Sequence, residues 1–262
     1  MKIGVCRGLD DFEAMEYAKK AGVDYYECGF GSLAKYDDEK FNLCKNKLDE
    51  LDLQCLVSNG FIPGDMKLVG ENVDYGAINE YLDKGFERAK ILGVKKIVLG
   101  SGAARSYEDG YSAEKAKEQL AFFLSEYAAP KAKNIDCVIV LEPLRFNESK
   151  MIHTVFDGVE IAKMCGAENV FGLADLYHVF GNNDSVSEMM NYRNLIRHAH
   201  IAEPVKRKYP AESDGEAMKY IYTEFLKTLK NIGCETCSIE AGTDNFKDDI
   251  FSAISLIKSL DI

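Results

Sequence analysis

The joints between helices and strands constrain this chain most. Four of them share one form: A-G-V at 21–23, L-G-V at 92–94, C-G-A at 165–167 and I-G-C at 232–234. In each, Gly stands where a helical pattern gives way to a β-rich run, because glycine leaves a helix through a left-handed turn without steric penalty. Around these joints one unit recurs: a short β-rich run, a loop, an amphipathic helix, then Gly. Ile78, Leu82, Phe86, Ala89 and Leu92, ahead of Gly93, show the helical spacing of the apolar face. The β-rich runs fall at Lys2–Cys6, Tyr25–Gly29, Gln54–Ser58, Lys96–Leu99, Val138–Leu141, Val170–Ala174, His198–Ile201 and Thr236–Ile239.

Eight strands alternating with eight helices in 262 residues imply an α/β fold, a (β/α)8 barrel forming a single domain over residues 1–262. An open doubly wound sheet usually has fewer strands and a Gly-rich phosphate loop after its first strand. Here that loop reads Cys6-Arg7-Gly8-Leu9-Asp10, which is not G-x-G-x-x-G. Two local expectations follow. Asp10 caps the first helix with Glu13 as its capping-box partner, and Pro130 kinks or ends the helix that starts near Ala113.

Charge and hydropathy narrow the function. The net charge is −11, from 32 basic and 43 acidic residues, which disfavours nucleic acid and anionic membranes as partners. No apolar run is long enough to span a bilayer. The opening M-K-I-G-V-C-R-G turns polar too soon for a signal peptide, so a soluble, cytoplasmic protein is expected. The eight cysteines then read as reduced thiols, several inside elements, such as Cys6, Cys55 and Cys137. Cys234-x-x-Cys237 lacks the second pair of a zinc ribbon.

The second half of the chain carries the chemistry. Four successive apolar runs end in a metal-binding residue type: V-I-V-L-E at Glu142, V-F-G-L-A-D at Asp175, H-A-H-I at His200 and T-C-S-I-E at Glu240. A carboxylate at the end of a buried strand is costly unless a positive charge meets it. In a barrel the C-terminal strand ends gather at one mouth, so these four side chains share a rim. Facing carboxylates repel, and a divalent cation removes that cost. Three oxygens and one nitrogen suit Mn²⁺, which is favoured, or Mg²⁺, Co²⁺ or Zn²⁺. Each residue alone has a plainer use: Glu142 could meet an Arg, Asp175 could cap the next helix, and His200 could be a hydrogen-bonded core histidine. Four strand ends in agreement favour the metal. His198 is expected in the core and His153 in a loop.

The order L-E-P-L, D-x-x-H, H-x-H-I-x-E and S-I-E-A-G resembles the xylose isomerase-like barrels. That superfamily includes sugar phosphate isomerases and epimerases, ketose 3-epimerases, inosose dehydratases and zinc-dependent abasic-site endonucleases. The resemblance spans nearly the whole chain, is sharp from Val138 to Gly242, and is best to the ketose 3-epimerases. It implies that Glu142, Asp175, His200 and Glu240 hold the metal, with Glu142 and Glu240 also serving as the acid/base pair. It further implies that His178 and Glu148 contact substrate. A proton next to a carbonyl leaves only when the resulting enediolate is stabilised, as a Lewis-acid metal does. A base on one face and an acid on the other then invert the carbon.

The expected activity is that of a divalent-metal-dependent isomerase or epimerase of a small sugar or related polyol, with or without phosphate. A lyase dehydrating an inosose-like keto-polyol is the alternative, followed by a non-catalytic binding barrel and an abasic-site endonuclease. Departures from the epimerase pattern concern the substrate. Lys206, with Arg207 and Lys208 beside it, stands where those enzymes usually have Arg, and either a solvated loop or a substrate clamp fits it. Arg7 ends the first strand where an aromatic residue is common. With no Trp in the chain, Phe30, Phe61, Phe146 or Tyr177 is left to wall the pocket. The sequence does not fix the oligomeric state, though homo-oligomers are common among soluble enzymes.

Overall fold

A computed structural model describes all 262 residues. Its strands are β1 (Lys2–Cys6), β2 (Tyr25–Gly29), β3 (Cys55–Asn59), β4 (Lys96–Leu99), β5 (Val138–Leu141), β6 (Val170–Asp175), β7 (Ile196–Ile201) and β8 (Thr236–Ile239). They pair in parallel in sequence order, and β8 pairs back onto β1 to close the barrel. This is the (β/α)8 barrel that the repeated unit predicts. The joint glycines act as expected: Gly22 and Gly93 take left-handed φ values of 81° and 76° and end their helices.

Alternation along the strands sorts the side chains into two cores. Outward residues pack with the helices in one cluster of 64 buried residues. Inward residues Tyr25, Val57, Val98, Val140 and Leu173 form a separate apolar plug in the lumen. Gly4 makes room for it, since a Cβ there would stand 2.3 Å from the Tyr25 ring. The Tyr25 hydroxyl, buried in that plug, bonds Ser238 Oγ at 2.7 Å. Above the plug the same alternation puts Glu27, Asn59, Asp175 and His200 at the mouth.

Three local expectations are corrected. Asp11, not Asp10, caps the first helix, accepting from the Ala14 N–H at 3.1 Å. Asp10 instead pairs with Lys40 at 2.6 Å. Pro130 does not end its helix: Ala113–Phe123 runs through a π turn at Leu124–Ala128 into Ala129–Lys133. That wider turn lies just ahead of the proline, where its ring would otherwise press on the preceding carbonyl. A further short helix, Phe30–Lys35, follows β2. It buries Phe30 and Leu33, so the aromatic ring expected at a pocket wall is core.

Candidate metal centre

The four strand-end residues converge. Glu142, Asp175, His200 and Glu240 each offer one ligand atom, and these atoms lie within 4.8 Å of one another. His200 Nδ1 stands 3.0 Å from Glu142 Oε1 and 3.1 Å from Glu240 Oε2. Asp175 divides its work. Oδ1 caps the helix Leu176–Gly181 by accepting from the Tyr177 N–H at 2.8 Å, and Oδ2 faces the group. The cap and ligand readings of this residue therefore use different oxygens.

Two positive groups enter among the carboxylates. Arg207 donates through Nη2 to Glu240 at 2.6 Å and lies 3.4 Å from Asp175. Its backbone has a left-handed φ of 54°, uncommon for a residue with a Cβ. The turn around it is pinned: Glu203 accepts from the N–H groups of Val205 and Lys206, and Gly242 donates to the Arg207 carbonyl. His200 is the second positive group. Burial alone would lower its pKa, but the Glu240 and Glu27 carboxylates outweigh burial and raise it well. Burial would raise Glu240, yet His200 and Arg207 bring it down to about 2. Asp175 goes the other way, to about 7, through burial and the Glu142 charge.

The supports of this group come partly from residues that the strand-end pattern passed over. Glu27, fully buried on β2, accepts from His200 Nε2 at 2.9 Å and from His198 Nε2 at 3.1 Å. Asn59, at the end of β3, donates to Glu240 Oε1 at 3.0 Å. Arg105, fully buried, donates to the Glu142 carbonyl at 2.8 Å, and its Nε and Nη1 find no partner. Gly100 leaves the space that the Glu142 carboxylate fills, since a Cβ there would stand 2.2 Å from Oε2.

The remaining expected contact residues divide. His178 is fully buried between Glu148 and Asp175, 3.4 Å from each, and both ring nitrogens lack a hydrogen-bond partner. Burial, then Arg207, lowers its pKa to about 3, so the ring is neutral. Glu148 thus joins the site through His178. Tyr177 lies under the Arg145 guanidinium at 3.4 Å and within 4.7 Å of that of Arg207. Phe61 does not wall a pocket: it is fully buried and packs edge-on against Phe30 and Phe86. Lys206 is exposed, and the loop cation that reaches the carboxylates is Arg207. Arg7 pairs with Asp11 at 2.8 Å and covers the Phe246 ring. His153 sits in its loop with Nδ1 near the Leu144 carbonyl. All eight cysteines are free thiols, and Cys234 and Cys237 are buried outside the group of Glu142, Asp175, His200 and Glu240.

The family model for the xylose isomerase-like TIM barrel matches residues 15–260. The chain belongs to the xylose isomerase-like TIM barrel family. No curated protein matches the sequence. Among solved structures, a D-allulose 3-epimerase from Methylomonas sp. superposes with a TM-score of 0.82 at 18% identity, covering 98% of this chain and 97% of that one. The 3-keto-D-glucoside 4-epimerase of E. coli gives 0.80 at 18% identity, with 99% of each chain covered. The IOLI protein with a bound zinc atom gives 0.71 at 18% identity over all of both chains. At these identities the likeness to solved structures establishes the shared barrel. In this xylose isomerase-like barrel the donor set fits a divalent ion: three carboxylates, one imidazole and a neutral His178 with unpartnered nitrogens beside them.

Proposed function

We propose that this protein is a divalent-metal-dependent isomerase or epimerase of a small sugar or polyol bearing a carbonyl. The observation that carries the reading is the convergence of Glu142, Asp175, His200 and Glu240 from consecutive strands within 4.8 Å. Epimerases among the structural neighbours support the substrate class. The bound ion, Mn²⁺ by preference, would be held by those four residues and supply Lewis-acid stabilisation of the charge that develops on the substrate oxygen.

The chain's own residues do the rest. Glu240, held ionised beside His200 and Arg207, is a carboxylate base for the proton on the carbon next to the carbonyl. Asn59 and Arg207 grip its two oxygens and fix its direction. Glu142, with Oε1 toward His200 and its carbonyl held by Arg105, is the partner that returns a proton. His178, neutral and with both nitrogens free, binds a substrate hydroxyl or carbonyl oxygen, and Glu148 orients it. Arg207 is placed to clamp a further substrate oxygen.

The test is a screen of ketoses, aldoses, inososes and their phosphates in D₂O with added Mn²⁺, following proton exchange by NMR. Exchange at a carbon next to the carbonyl with mass otherwise conserved is the expected result. Loss of water would assign the lyase chemistry instead. If no compound exchanges and protein purified without chelator carries no stoichiometric divalent ion, the barrel is a binding module.

A further inference from the structure

A line of hydrogen bonds descends from the metal centre through the lumen to the opposite end of the barrel. His200 Nε2 meets Glu27 Oε1 at 2.9 Å, and Glu27 Oε2 meets His198 Nε2 at 3.1 Å. His198 Nδ1 meets Thr236 Oγ1 at 2.9 Å, and Lys96 Nζ meets the same oxygen at 2.8 Å. Lys96 also donates to the Arg197 carbonyl, which anchors it. Glu27, His198 and His200 are fully buried, and Thr236 is 5% exposed. Thr236 and Lys96 are the first residues of β8 and β4, so the line crosses from the strand ends to the strand starts.

Donor chemistry fixes the direction of every bond in this line. A lysine ammonium has donors and no acceptor. Lys96 therefore donates to Thr236 Oγ1. An ionised Glu27 can only accept, so His198 donates its Nε2 proton to Glu27, and in the neutral ring Nδ1 is bare and accepts the Thr236 hydroxyl proton. Glu27 has only acceptors when ionised, so it also takes the Nε2–H of His200. The nitrogen of His200 left to face Glu142 and Glu240 is Nδ1. A ligating histidine commonly has its second nitrogen held by a carboxylate in this way.

We propose that Thr236 and Lys96, at the floor of the barrel, are positioning residues that act through His198 and Glu27 to fix the tautomer and ring orientation in which His200 presents Nδ1 to the metal. The plug of Tyr25, Val57, Val98, Val140 and Leu173 fills much of the lumen with apolar side chains, and this polar column links mouth to floor within it. The proposal rests on the metal-site reading above for its consequence, but the His198 tautomer needs no metal.

Thr236→Val tests it, because it removes the hydroxyl and keeps the shape. Two measurements are made on the intact protein: Mn²⁺ affinity by calorimetry, and imidazole ¹⁵N spectra of the metal-free form. Expected for Thr236→Val are a loss of Mn²⁺ affinity of about tenfold, the lower end of the range for residues behind a ligand, and a change in the His198 tautomer signals. Thr236→Ser should restore both, and Lys96→Met should reproduce the valine variant. An unchanged affinity together with unchanged imidazole spectra in folded Thr236→Val would overturn the proposal. If the natural protein binds no Mn²⁺, the metal-site reading fails, and the spectra alone decide the strut.

Discussion

Arg207 donates to Glu240 at 2.6 Å, inside the same group of carboxylates that surrounds His200 Nδ1. Without a metal, this guanidinium balances charge that an ion would otherwise balance. On the proposed reading it is both a competitor of the metal and the clamp on substrate. Arg207→Gln separates the two roles. Mn²⁺ should bind about tenfold more tightly to the variant, a gain of ~1.4 kcal/mol. The metal-free variant should melt lower, because the carboxylates lose a counter-charge. Substrate KM should rise. Calorimetry, thermal melts and steady-state kinetics check the three in turn, and weaker Mn²⁺ binding would show that Arg207 supports the ion instead of competing with it.

Glu240 carries the proposed base chemistry. Glu240→Gln keeps an oxygen for Asn59 and removes the negative charge. Solvent-deuterium incorporation into substrate should fall by at least about 100-fold, the lower end of general-base contributions. Mn²⁺ content, measured on the same sample, separates loss of the base from loss of a ligand. Retained exchange at full metal loading removes Glu240 from the proton transfer.

At the proposed metal site, the protonation of Asp175 and His200 would set the pH dependence of binding. Asp175 is pushed up to about 7 by burial and Glu142, and His200 is raised by the carboxylates around it. A carboxyl group with a raised folded pKa stabilises the metal-free fold below its ordinary value, and that contribution is lost as pH climbs through about 7. Metal binding has the opposite sign, because the ion needs the bare ligands. Near pH 6 each Mn²⁺ should displace about two protons, and above pH 8 about one, since Asp175 is then already ionised. Calorimetry in buffers of different ionisation enthalpy counts them. A constant count across this range would contradict the Asp175 assignment.

The strands and four of the mouth residues were legible because burial makes charge conspicuous. A Glu or Asp closing an apolar run has no solvent, so it needs a partner, and four such runs in succession point to a common one. Glu27 carries the same signal in Y-Y-E-C-G, but it sits mid-strand and in the first half of the chain, outside the strand-end pattern. Asn59 is neutral and raises no comparable alarm. Arg105 comes from a loop, where no periodicity announces burial. The choice between Lys206 and Arg207 was not legible either. One turn with φ of 54° at Arg207 directs that side chain inward and leaves Lys206 in solvent.

Phe61 shows the opposite failure. An aromatic residue in a long loop reads as a pocket wall, yet the loop folds inward and the ring completes a cluster with Phe30, Phe86 and Phe123. Its role is stability. Phe61→Ala should cost about 3–5 kcal/mol of folding free energy, read as a fall in the denaturation midpoint. KM of the folded fraction should stay near that of the natural protein. A large KM change without loss of stability would return Phe61 to the substrate site.

Gly100 offers a way to move one proposed ligand without altering its chemistry. A Cβ at this position would stand 2.2 Å from Glu142 Oε2, and the nearest atoms it meets all belong to the Glu142 side chain. No backbone blocks the methyl group, so Gly100→Ala is relieved by displacing the Glu142 carboxylate alone. The metal-free melting temperature should stay within about 4 °C of the natural protein, a change of no more than ~1–2 kcal/mol at this size. The Glu142 carboxylate should be pushed off its place by more than the ~0.5 Å that a working ligand tolerates. Mn²⁺ affinity and proton exchange should then fall together, by about tenfold or more, while Glu142 keeps its charge. Glu142→Gln provides the comparison, since it removes the charge at the original position. If Gly100→Ala binds Mn²⁺ and exchanges protons like the natural protein, the carboxylate has room to return, and the close approach of Glu142 to Gly100 is not what places it.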